Sequence, residues 1–131
     1  MNTRTRGFTV IELLAIIVIV GAASILFFVQ KGNVVTASDD QQRKVAINAM
    51  YYSLEEVFHP TNGYYPVTID AKTLPSVDPN LLSDPQGVMI GDSASDYRYE
   101  PINCTDSKCK SYSIRTTLHG EADFVKTSRN N

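Results

Sequence analysis

From Val10 to Val29 the chain runs through twenty residues in which Glu12 is the sole ionisable side chain. At about 1.5 Å per residue such a run makes a helix roughly 30 Å long, which matches the hydrocarbon thickness of a bilayer. A helix meets that setting because it satisfies its own backbone donors and acceptors. A carboxylate inside such a helix costs on the order of a few kcal/mol by insertion scales. Glu12 therefore calls for a partner, and the run contains no cation to serve.

The flanks decide which way the helix points. Arg4 and Arg6 stand before the run and only Lys31 follows it closely. Basic residues stay on the cytoplasmic side, so residues after about Gln30 are sent outside. An ordinary secretory signal would be cut behind small residues at the far end of its apolar region. Gly21-Ala22-Ala23-Ser24 has that look, but apolar residues resume at Ile25 and continue through Val29. A single-pass anchor of some other protein is the other plain reading of the run. Neither accounts for Glu12, or for a short basic leader that meets the apolar run at Gly7.

The stretch Arg6-Gly7-Phe8-Thr9-Val10-Ile11-Glu12-Leu13-Leu14 resembles the N-terminus of type IV pilins and the related pseudopilins. The resemblance implies a leader, residues 1–7, removed by a prepilin peptidase between Gly7 and Phe8, and N-methylation of the new terminal Phe8. It further implies that Glu12 acts in assembly, its partner being the freed amino group of Phe8 on a neighbouring subunit. Many pilins carry a glycine at the position of Gly21 and a proline eight residues later, an interval that can loosen in the filament. Here Val29 replaces that proline, and Gly32 is the next weak point.

After Val34 the pattern turns amphipathic. Ile47, Met50, Tyr51, Leu54, Val57 and Phe58 fall on one helical stripe, with Asp39, Asp40, Gln42, Arg43, Glu55 and Glu56 at polar positions. Ser38 and Gln41 have capping-box spacing, which means little inside an uninterrupted helix. The reading is one long helix over about 8–58, ended by His59-Pro60 because proline disfavours helix in the residue before it. Asn62-Gly63 signals a turn. The arrangement Tyr51-Tyr52 followed by Asn62-Gly63-Tyr64-Tyr65-Pro66 again resembles this family. Residues 59–96 read as a long loop with one helical turn at Leu81-Leu82. Within it Asp84-Pro85-Gln86-Gly87, ahead of Tyr97-Arg98-Tyr99, is similar to the segment before the sheet in major pseudopilins and many pilins.

Strands are expected at 97–102 and 112–118 from their alternation and β-branched content, with a shorter third at 122–126. Thr127 to Asn131 reads as a loose tail. The fold class is therefore α+β: a long N-terminal helix, apolar in its first half and amphipathic in its second, packed against a small antiparallel sheet of about three strands. The organisation is a leader (1–7), a transmembrane or filament-core helix (8–30) and an extracellular head (31–131), the head comprising a helix over about 34–58, the loop and a sheet at 97–126.

Cys104 and Cys109 both fall in the exported part, where an oxidising compartment favours a disulfide; it would staple the turn between the first two strands. Taken with His119 they would supply three zinc ligands, but the spacing fits no standard site. Asp92 and Asp96 flank a loop where calcium is conceivable, yet oxygen ligands alone are too common to assign it. His59 and His119 are the only histidines, and no nucleophile-base motif or glycine-rich phosphate loop is present. No catalytic residue, metal or cofactor is assigned, and the chain is read as a non-enzyme.

Formal net charge is −2; loss of Arg4 and Arg6 with the leader makes it −4, which excludes nucleic-acid binding by bulk charge. Lys108, Lys110, Arg115, Lys126 and Arg129 make the C-terminal third locally basic, which leaves DNA contact open beside a plain solvated face. The resemblance implies a structural subunit of a type IV pilus (a fimbrium) that is held in the cytoplasmic membrane by one span before assembly. Afterwards it would stand outside the cell in a helical filament of like subunits. Partners would be those subunits, the prepilin peptidase, and the assembly platform with its motor. Cell adhesion, twitching motility and DNA uptake are the implied processes. A pseudopilin of a type II secretion system and a membrane-anchored binding or sensor domain are the alternatives.

Overall fold

The computed structural model describes residues 7–130. The leader residues 1–6 and the terminal Asn131 lie outside the described residues. The chain divides into two units that part between Val35 and Thr36. Helix α1 (Val10–Ser53) supplies the whole regular structure of the first unit and the opening element of the second. It is unbroken through Gly21 and Gly32.

The second unit is α+β, with the later part of α1 packed on a small antiparallel sheet. Ala46, Ile47, Met50 and Leu54 form the buried helical stripe. They meet Tyr65, Tyr97, Cys109, Tyr112 and Ile114 from the sheet, and Ile69, Leu74, Val77, Leu82 and Ile90 from the intervening loop. Val57 falls out of the expected stripe at 46 % exposure.

The reason lies at the end of α1. A π-helical turn, Leu54–Phe58, follows it and leads into α2 (His59–Asn62). The N–H of His59 donates to Leu54 O, five residues back, one more than in an α-helix. Such a wide turn buries three successive residues, Ser53, Leu54 and Glu55, where 3.6-residue periodicity would carry one of them away. Pro60, which has no N–H to give, is thereby accommodated at the start of α2. So His59-Pro60 does not end the helical stretch at Phe58. The stretch stops at Gly63, whose left-handed φ of 74° is the conformation glycine adopts without penalty.

The sheet has four strands in three rows. β3 (Lys108–Thr116) is central, with β2 (Tyr97–Thr105) along one edge. The other edge is shared by β1 (Tyr65–Pro66), opposite Cys109 and Lys108, and β4 (Phe124–Thr127), opposite Ser113–Thr116. β1 is the strand missing from the expected three. β2 and β3 join through Asp106-Ser107, both at positive φ, the two-residue hairpin geometry whose twist suits antiparallel strands. Cys104 and Cys109 face each other across this ladder and are bonded as a disulfide.

Of the loop expected over 59–96, α2 and β1 take the start and residues 67–96 form the remainder, with a 3-10 turn at Pro79–Leu82 capped by the Asp78 carboxylate. Asp84 organises its later part by accepting from the backbone N–H groups of Gln86, Val88 and Asp96. The C-terminal segment is docked rather than loose. Ser128 N–H donates to Tyr112 O (3.0 Å) and Arg129 N–H to Glu55 Oε1 (3.3 Å). The Arg129 guanidinium reaches Tyr51 and Glu56.

Candidate functional site

The sequence places the chemistry of interest at the start of α1. Gly7, Phe8 and Thr9 precede the helix and are not helical. Thr9 caps it: its Oγ1 accepts from the N–H of Glu12 at 3.3 Å, and its carbonyl from Leu13 at 3.1 Å. Thr9-Val10-Ile11-Glu12 thus has capping-box spacing with its N-cap half made, whereas Ser38 and Gln41 lie inside α1. Glu12 sits in the first turn, where an acidic side chain faces the positive end of the helix dipole. Among the described residues no donor or cation reaches its carboxylate. Phe8 is 74 % exposed.

The rest of the first unit is apolar surface. Ile11, Leu13, Leu14, Ile17, Val18, Ile19, Val20 and Ile25 to Val29 are all exposed. Each such side chain gains roughly 1.5–3 kcal/mol when it leaves water. A contiguous surface of this size marks a membrane or protein contact. The helix is long and apolar enough to cross a membrane, with mean hydropathy 2.8 in its best window. Ser24 does not spoil it, because its hydroxyl donates to Val20 O at 2.7 Å. Gly21 and Gly32 have nothing within 4 Å of where a Cβ would stand, so packing within the chain requires neither glycine.

In the second unit the helical stretch carries three buried ionisable residues, Asp40, Arg43 and Glu55, at positions that the sequence marks only as polar. Arg43 is fully buried; its guanidinium donates to Asp40 (3.0 Å), Asp96 (2.9 Å) and Gln86 (3.2 Å). Asp40 also accepts from the N–H groups of His119 and Gly120. Those backbone bonds, the one from His119 foremost, hold its carboxyl below the usual carboxylate range. Glu55 is 6 % exposed. Its oxygens take the Tyr65 hydroxyl (3.1 and 3.0 Å), the Tyr112 hydroxyl (2.9 Å) and the Arg129 N–H. Burial, then the Glu55 carboxylate, raises Tyr112; burial pushes Tyr97 up to about 12. Both centres tie the helical stretch to loops and strands, with partners up to 80 positions away, as structural polar clusters do.

The remaining candidates are accounted for in structural terms. Cys104 and Cys109 are bonded to each other and are not metal ligands in that state. His119 flanks Asp40, with Nδ1 3.8 Å from its carboxylate, and His59 stacks on Tyr65. Asp92 accepts from Ala94 N–H and Asp96 pairs with Arg43. Among the described residues no group of three or more His, Cys, Asp or Glu is placed to hold a metal. A cleft lined by Val67, Ile69, Ile90, Tyr97 and Tyr99 has Arg98 at its rim, but that guanidinium is spent on the carbonyls of Asp92, Ser93, Ser95 and Tyr97. Tyr64 packs edge-on against Phe58 under Lys108.

Compared with known proteins, the chain matches no family model, no curated protein and no solved structure.

Proposed function

We propose that this chain is a structural subunit of a type IV pilus, made as a membrane-held precursor and polymerised through its N-terminal helix. The observation that carries the reading is Gly7-Phe8-Thr9-Val10-Ile11-Glu12 abutting an apolar helix whose side chains stand exposed among the described residues. An anchor in lipid needs no carboxylate at its first turn. A subunit that must meet the next copy in register does.

The precursor sits in the cytoplasmic membrane with residues 1–7 inside. A prepilin peptidase cuts between Gly7 and Phe8, and the Phe8 amine is methylated. An assembly platform and motor then draw subunits into a helical filament of like subunits. There the exposed apolar side chains of α1 exchange lipid for neighbouring helices. Glu12 pairs with the Phe8 amine of the adjacent subunit. Its carboxylate, unmatched among the described residues, gains an opposite charge in a low-dielectric surrounding, where removing one partner of such a pair is costly. The head, held by its own core and disulfide, faces outward and adds no catalysis to this role.

Intact mass of the protein recovered from sheared surface filaments tests the proposal. The expected species lacks residues 1–7 and carries one methyl on Phe8. A surface species that keeps Met1 to Gly7, or cells that make the chain and form no filament containing it, would overturn the reading.

A further inference from the structure

The start of the helix bears on how the precursor is cut, and the inference rests on the processing step proposed above. A peptidase must reach the carbonyl between Gly7 and Phe8 and lay the chain out across its own site. A helical turn hides that carbonyl in an i to i+4 bond and folds its flanks away. In this chain two residues, Phe8 and Thr9, separate the scissile bond from the first helical residue. Gly7, Phe8 and Thr9 are non-helical and Val10 is the first helical residue.

Thr9 makes that boundary. Its hydroxyl takes the N–H of Glu12, one of the donors that a helix start leaves without an intrahelical acceptor. Val10 and Ile11 offer no side-chain oxygen, and neither does Phe8. The next upstream residue able to cap is Thr5. A start there would place Gly7 and Phe8 inside the first turn and the scissile bond within helical backbone. Gly7, a poor helix residue, opposes that upstream start; Thr9 rewards the downstream one. The Glu12 carboxylate makes no reciprocal bond to the Thr9 N–H, so the cap engages Glu12 through its backbone and leaves its side chain available.

We infer that Thr9 is a positioning residue for leader removal: as N-cap of α1 it ends the helix short of the Gly7–Phe8 bond and so presents that bond in non-helical chain. No ligand is placed at the helix terminus; the effect is on the conformation of the cut segment.

The test is time-resolved cleavage of the full-length chain in membranes that contain a prepilin peptidase, read by intact mass. Four chains are compared: wild type, Thr9→Val, Thr9→Ser and Thr9→Asn. Thr9→Val keeps shape and branching and removes the capping oxygen. Ser keeps the hydroxyl and drops only the methyl, and Asn offers a capping oxygen on a different side chain. The expected result is cleavage slowed about fivefold in Thr9→Val, the equilibrium change that loss of a typical cap brings. Thr9→Ser and Thr9→Asn should be cut at the wild-type rate, and membrane insertion should be equal in all four. Thr9→Val cut as fast as wild type would overturn the inference. So would Thr9→Asn slowed as much as Thr9→Val, since that outcome means the peptidase reads threonine itself. A wild-type chain left whole would instead remove the filament-subunit reading on which the inference rests.

Discussion

Two glutamates in this chain, Glu12 and Glu55, meet opposite surroundings. Glu55 is buried in the head and its carboxylate is fully engaged by two tyrosine hydroxyls and a backbone N–H. Glu12 stands in the most apolar segment, and among the described residues nothing reaches its carboxylate. The head resolves its buried charge within one chain, so its stability is a property of the monomer. Among the described residues the first unit leaves the Glu12 charge open, and under the proposed function the group that answers it belongs to a neighbouring subunit.

The contrast can be broken from the head side first. Glu55→Ala orphans the buried Tyr65 and Tyr112 hydroxyls and removes the acceptor of the Arg129 N–H. At about 1–3 kcal/mol per buried group left unpaired, the head should lose roughly 2–4 kcal/mol. Urea denaturation of the detergent-held chain, followed by tyrosine fluorescence, reads this. A loss under about 1 kcal/mol would mean the cluster is ornamental. Reducing the Cys104–Cys109 bridge comes next. Its ring is short, so the loss should be about 2 kcal/mol, again confined to the head, as the same denaturation with and without reductant would show.

The pH profile of the head sharpens the same point. Asp40 is held below the ordinary carboxylate range by the His119 and Gly120 N–H groups. Its contribution is therefore present above about pH 4 and is lost as pH falls through the lowered value. Tyr97, Tyr99 and Tyr112 are raised by burial. Their contribution is complete below about pH 10 and is lost as pH rises beyond it. Melting temperature should thus fall at both extremes, and Tyr112→Phe should soften the alkaline fall. An unchanged alkaline arm in that variant would show that Tyr112 is not among the groups responsible. The smallest effect belongs to the anchor. Gly21→Ala meets open space and should raise helix stability by no more than about 1 kcal/mol, leaving head melting unchanged by circular dichroism.

The sequence made the helix and the hairpin legible because their signals are local. The apolar run, the stripe through Ile47, Met50 and Leu54, and the alternation in 97–102 and 112–118 all sit within a few residues. Cys104 and Cys109 could be paired for the same reason. What escaped was set by distant partners. Asp40 and Arg43 look like a solvated face until His119, Gly120 and Asp96 close over them. Glu55 looks the same until Tyr112 arrives. β1 is two residues long, too short to carry a period. Pro60 is an ordinary stop signal, and only the π-helical turn before it lets the helical stretch run on to Asn62. At the N-terminus Thr9-Val10-Ile11-Glu12 has the spacing of a helix cap, and the Thr9 hydroxyl takes the Glu12 N–H.

Electron microscopy of cells that make Glu12→Val in place of the native chain tests the central claim most directly. The account predicts a processed, membrane-inserted protein whose head melts as in wild type and which forms no filaments. Filaments of normal number and length from that variant would contradict it.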